Sequence, residues 1–150
     1  MDEPASGLDV TARRTFIRQV LEIACNENTA VFLSSHLLSD LERMVDRIAL
    51  LDQGKLILLG QLEDFKAGIR KIHFYTQITR EQIAGHFKIV RYEPVSEQET
   101  LATVLDYEEK RFADFAALHQ CSDSVKLYPM NLEDMFVELT RKSENHVELP

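Results

Sequence analysis

The sequence predicts an α/β fold, with a helix–strand alternation in its N-terminal part and a small α+β unit after it. Three observations carry this expectation. A helical apolar periodicity over residues 10–27 runs into an almost wholly apolar, β-branched run at 29–34. Two further apolar runs flank Asp52-Gln53-Gly54, where glycine can take the positive φ of a tight hairpin. Beyond residue 68 the apolar residues begin to alternate with polar neighbours, the pattern of strands with one wet face.

In order along the chain, Phe16, Ile17, Val20, Leu21 and Ala24 form the apolar stripe of the first helix, and Asp9 is placed to cap it. Residues 29–34 read as a strand covered on both faces, as in a parallel sheet. Leu37, Leu38, Leu41, Met44 and Val45 resume helical spacing over 36–44, and residues 46–51 and 55–59 read as strands. Helix, strand, helix, strand implies alternating α/β architecture with a parallel sheet. A short helix over 61–66 leads to a boundary placed near residue 68. There follow a strand around Ile72 and Phe74, a helix over 79–86 and an antiparallel pair at 89–94 and 100–107. A helix over 108–120, a strand at 125–128 and a helix over 131–141 capped by Asn131 complete the layout. Residues 143–150 are polar and read as a flexible tail.

Composition narrows the function classes. The 150 residues carry 17 Lys and Arg against 25 Asp and Glu, a formal net charge of −8. Nucleic acid is disfavoured as a partner, because phosphate neutralisation needs a basic face. No run approaches the roughly 20 apolar residues of a membrane-crossing helix, so no direct membrane insertion is expected. Cys25 and Cys121 have no metal-ligand spacing and suit a reducing compartment. The expectation is a cytosolic, acidic protein.

The chemistry gathers at the N-terminus. An isolated Asp2-Glu3 pair is a solvated acidic terminus, but here Ser6-Gly7-Leu8-Asp9 follows at once. The run at 29–34 leads into Ser35-His36, where α/β sheets place their ligands. Asp2-Glu3-Pro4-Ala5-Ser6-Gly7-Leu8-Asp9, the Leu33-Ser34-Ser35-His36 segment and the Asp52-Gln53-Gly54-Lys55 hairpin occur in that order. Together they resemble the second half of an ABC-transporter nucleotide-binding domain, over about residues 1–65. Met1-Asp2-Glu3 resembles the end of the Walker B strand, residues 6–9 the D-loop and His36 the switch histidine.

The resemblance implies ATP and Mg²⁺ as cofactors. Asp2 would hold Mg²⁺, Glu3 would polarise the attacking water, and His36 would reach the γ-phosphate. Phosphoryl transfer depends on such positioning and charge stabilisation. Ser6, Gly7, Leu8 and Asp9 would meet a second nucleotide-binding domain, and a membrane permease would be the further partner, at the cytoplasmic face of the membrane. The sequence holds no G-x-x-x-x-G-K-[ST] loop and no L-S-G-G-Q signature. The resemblance therefore implies the C-terminal part of a P-loop NTPase-like domain, residues 1–68, followed by an α+β accessory domain, 69–142. The phosphate-cradling side is missing, so this chain is expected to be inactive alone and prone to self-association through unpaired strands.

The C-terminal part carries no catalytic pattern. His73, His86, His119 and His146 are scattered. The ending Leu132-Glu133-Asp134-Met135-Phe136-Val137-Glu138-Leu139-Thr140 resembles that of ATP-binding subunits of ABC-2 type multidrug and antibiotic exporters. From another class, a non-catalytic regulatory or dimerisation module carried by the α+β part is the alternative. An unrelated phosphohydrolase built on Asp2 and Glu3 is disfavoured, because nothing else in the sequence would cradle phosphate.

Overall fold

The computed structural model describes residues 2–26 and 29–141. The tail expected at 143–150, with His146, lies outside the described residues, as does Met1. The chain divides into two compact units, Met1–Val45 and Asp46–Pro150.

The first unit is built on helix α1 (Val10–Asn26) and a single turn, α2 (Leu38–Leu41). Asp9 caps α1: its Oδ1 accepts from the backbone N–H of Thr11 and of Ala12, each at 2.8 Å, which satisfies two first-turn donors. Val20 is buried, while Phe16, Ile17, Leu21 and Ala24 are half-buried. Arg13 of α1 pairs with Asp40 of α2 at 3.4 Å and donates to the carbonyl of Leu8 at 3.2 Å.

Two expectations fail in this unit. Residues 29–35 form no strand and belong to neither of the two sheets. Apolar, β-branched composition favours a strand, but backbone pairing makes one. The helix expected over 36–44 shrinks to α2 with a turn behind it, and Leu37 has no capping side chain at its start. With the strand goes the parallel sheet, since every strand pair among the described residues is antiparallel.

The second unit opens with a hairpin of β1 (Arg47–Asp52) and β2 (Lys55–Gln61). Its turn has Gln53 at φ 47° and Gly54 at φ 78°. Two successive positive φ values match the right-handed twist of the flanking strands. Helix α3 (Leu62–Gly68) follows, then β3 (Arg70–Phe74), α4 (Arg80–Ala84), β4 (Ile89–Ser96), β5 (Glu99–Val104), α5 (Glu109–Leu118), β6 (Val125–Pro129) and α6 (Leu132–Thr140).

From β3 to β6 this is a β-α-β-β-α-β unit with strand order β4-β5-β3-β6, the ferredoxin-like arrangement. One sheet face carries the core. Ile72, Phe74, Ala102 and Val104 of the sheet pack against Ile83, Phe112, Phe115 and Ala116 of the helices. Phe115 sits at its centre, with ring centroids 5.9 Å from Phe74 and 5.8 Å from Phe87. A capping box holds the start of α4, with Thr79 and Gln82 exchanging side-chain and backbone hydrogen bonds. Asn131 caps α6 by accepting from Asp134 N–H at 2.7 Å. A smaller cluster, Ile69, Met130 and Met135 with Leu58, Phe65, Leu105 and Leu139, joins α6 to the α3 and hairpin side.

Candidate functional site

The residues singled out at the N-terminus come together within the first unit. Glu3 Oε2 and His36 Nδ1 lie 2.6 Å apart, although 33 positions separate them in sequence. Asp2 Oδ1 accepts from the Ser34 hydroxyl at 2.5 Å, and the same hydroxyl accepts from Glu3 N–H at 3.1 Å. Two segments, 2–9 and 34–36, thus meet through three hydrogen bonds. Ser34 is the participant that sequence reasoning passed over. The only signal was its place in the Ser34-Ser35-His36 run, since a tie over 31 positions leaves no local periodicity.

Local backbone explains how the carboxylates are presented. Glu3 stands at φ 45°, in the left-handed region that a side chain enters at a cost. Ser6 N–H donates to Glu3 O at 3.0 Å and Leu8 N–H to Ala5 O at 3.3 Å, so the chain curls through two turns. Gly7 completes the curl at φ 78°, where a Cβ would be strained. These turns deliver Asp9 to the start of α1. Ser6, Gly7 and Asp9 are exposed, and Leu8 is half-buried.

The group is open to solvent. The His36 side chain is 65% exposed and that of Glu3 39%, so a ligand can reach both. Asp2 is exposed. Among the described residues no cluster of three or more His, Cys, Asp or Glu side chains could hold a metal ion by itself. Mg²⁺ does not need one: it is ordinarily held through one or two carboxylates plus waters and substrate phosphates, and Asp2 fits that demand.

A second feature lies in the other unit. A cleft of about 620 Å³ is lined by Lys71, His73, Leu101, Tyr128, Val137 and Glu138 among others, on the sheet face opposite the aromatic core. Glu138 is buried there. Its Oε1 lies 3.0 Å from Lys71 Nζ, and its Oε2 lies 3.6 Å from Arg91 Nη1 without a hydrogen-bond donor. His73 is engaged by Glu99 at 3.1 Å. His86 and His119 stand with ring centroids 6.1 Å apart beside Phe115. No helix among the described residues is long and apolar enough to cross a membrane.

No family model matches the chain. Individual proteins do. An uncharacterized ABC transporter ATP-binding protein, YhcH of Bacillus subtilis, is 30% identical over 150 residues, which is 99% of this chain and 48% of that protein. The Nod factor export ATP-binding protein I of Rhizobium meliloti is 31% identical over 93% of this chain and 42% of its own length. The bacitracin transport ATP-binding protein BcrA of Bacillus licheniformis is 37% identical over 62% of this chain and 32% of its own. The chain spans about half the length, or less, of the relatives it matches. Homology that runs through the acidic pair, the Ser-Gly-Leu-Asp turn and the histidine to nearly the last residue settles the family: the chain belongs to the ABC-transporter ATP-binding proteins.

Proposed function

We propose that this chain supplies the water-activating and γ-phosphate-sensing side of the ATP site in the ATP-binding subunit of an ABC exporter. The observation that carries this reading is the 2.6 Å approach of His36 Nδ1 to Glu3 Oε2, with Asp2 tied in beside them through Ser34. A carboxylate held against an imidazole can orient and polarise a water, and the imidazole can carry the proton position that links the water to a phosphate oxygen. Asp2 would hold Mg²⁺, whose charge offsets that of the phosphates. Ser6, Gly7, Leu8 and Asp9, three of them exposed, form the D-loop face offered to a second nucleotide-binding domain, most simply that of an identical subunit.

In this reading residues 1–68 belong to the nucleotide-binding domain and 69–142 to an α+β accessory domain, with a membrane permease as partner at the cytoplasmic face. The exporter assignment rests on the relatives for Nod factor and bacitracin and on the Leu132–Thr140 ending. No phosphate-binding loop occurs in these 150 residues, so turnover requires the remainder of the site.

The test is ATP hydrolysis by the whole subunit that carries this chain, with Glu3→Gln as the control. The expected result is loss of turnover with ATP binding retained, and no turnover by the 150 residues alone above the same substitution. Undiminished hydrolysis in the whole Glu3→Gln subunit refutes the assignment. The alternative reading is a non-catalytic regulatory or dimerisation module carried by the β3–β6 unit, which has a core of its own. It requires that Glu3→Gln be silent.

A further inference from the structure

We infer that Ser34 is a positioning residue for both carboxylates of this site; the inference rests on the reading of Asp2, Glu3 and His36 just given. Its hydroxyl donates to Asp2 Oδ1 at 2.5 Å and accepts from Glu3 N–H at 3.1 Å. A serine hydroxyl has one donor and two acceptor positions, and here its donor and one acceptor are both spent on the acidic pair. The neighbouring Ser35 is used differently, accepting from Leu37 N–H at 3.0 Å to close a local turn. Adjacent serines therefore divide the work, one shaping its own loop and the other clasping a distant segment.

The clasp matters because of where Glu3 sits. A glutamate at φ 45° is held in a sparsely populated region and persists only if its surroundings fix it. The bond from Glu3 N–H to Ser34 opposes rotation about that φ. The bond to Asp2 fixes the preceding residue. Released, residue 3 relaxes toward negative φ and swings its side chain away from His36. The site is solvent-accessible, so water replaces the lost hydrogen bonds, and the cost falls on geometry rather than on folding. Outer-shell partners that orient functional groups commonly contribute 10- to 100-fold to activity or metal affinity.

The experiment compares wild type, Ser34→Ala, Ser34→Cys and Ser34→Thr in the whole ATP-binding subunit, with Glu3→Gln as benchmark. Ser34→Ala is expected to lower kcat for MgATP about 10- to 100-fold, with KM and the urea midpoint essentially unchanged. Cys, a weak hydrogen-bonding isostere, is expected to follow Ala, and Thr, which keeps the hydroxyl, to restore most of the rate. An Ala or Cys variant as fast as wild type, or a Thr variant as slow as Ala, overturns the inference.

A second readout separates this from failure of the site reading. In the 150-residue chain, NMR exchange of the Glu3 amide should quicken in Ser34→Ala and recover in Ser34→Thr. If Glu3→Gln proves silent in the whole subunit, the ATPase reading falls and the amide alone decides on Ser34. An exchange rate unmoved by Ser34→Ala overturns the clasp whatever the ATPase does.

Discussion

Glu138 offers the sharpest test of how the second unit is held together. Replacing it by alanine removes a side chain only 9% exposed, together with its ion pairs to Lys71 at 3.0 Å and Arg91 at 3.6 Å. At an effective dielectric of about 20, each attraction is on the order of 5 kcal/mol, but desolvation of the three groups cancels most of it. The cost of Glu138→Ala therefore comes mainly from the two cations left behind. Truncating one partner of a fully buried pair costs about 3–5 kcal/mol. Here Lys71 is 35% exposed, and Arg91 keeps Glu93 at 2.5 Å, so both are partly rescued. The expected loss is about 2–3 kcal/mol, below that fully buried range. Glu138→Gln keeps the shape and an acceptor for Lys71, and should cost about 1–2 kcal/mol. Urea unfolding followed by far-UV circular dichroism, with unchanged m-value, measures both. In a Lys71→Ala background the effect of Glu138→Ala should shrink, since one stranded charge is already gone. A Glu138→Ala loss under about 0.5 kcal/mol, the usual range for an unremarkable surface change, refutes the reasoning.

Three further expectations follow from other parts of the molecule. Burial raises the Cys121 thiol above its ordinary range, whereas Cys25 is exposed. A thiol reagent at pH 8 should therefore label one cysteine in the native chain and two in urea. Because the unfolded thiol loses its proton first as pH rises, the unfolded state then binds fewer protons and stability must fall above the ordinary thiol range. Cys121→Ala should flatten that part of a stability–pH profile. Gly54→Ala, at φ 78°, should cost about 1 kcal/mol through turn strain and lower the thermal midpoint, with the Gln53 position less sensitive because it already carries a side chain. Asp9→Ala should cost about 1 kcal/mol by uncapping α1, with Asp9→Asn close to neutral, read by helicity and urea midpoint.

What the sequence disclosed depended on the range of the interaction. Caps are local, and Asp9 and Asn131 both cap as their positions suggest. The hairpin at Gln53-Gly54 is equally local. The amphipathic runs after residue 68 become strands and helices close to their expected limits. By contrast, residues 29–34 have the composition of a buried strand and form none, because a ladder needs a partner that local propensity cannot supply. The strand order β4-β5-β3-β6 was equally hidden, since it is decided by pairings of distant segments. On α6 the structure buries Leu132, Met135 and Glu138, the last a charged residue that apolar periodicity does not mark. A glutamate turns inward there because Lys71 and Arg91 await it from other strands. At the N-terminus the motif residues drew attention to Asp2, Glu3 and His36. The hydroxyl joining Asp2 to Glu3 belongs to a residue type too common to stand out.

The strand order carries a consequence for the birth of the fold. The centre of the sheet belongs to β3, the first of its strands to leave the ribosome, whereas its partner on one side, β6, arrives about fifty residues later, with Phe74 opposite Val125. The β4–β5 pair closes across a short turn between Ser96 and Glu99 and can assemble as soon as it is made. Loop closure favours that hairpin and penalises the long return. The early nucleus should then be β4, β5 and β3 with α4, and β6 with α6 should dock at the end. The last piece to settle carries Glu138, so the ion cluster it makes with Lys71 and Arg91 should slow unfolding far more than it speeds folding.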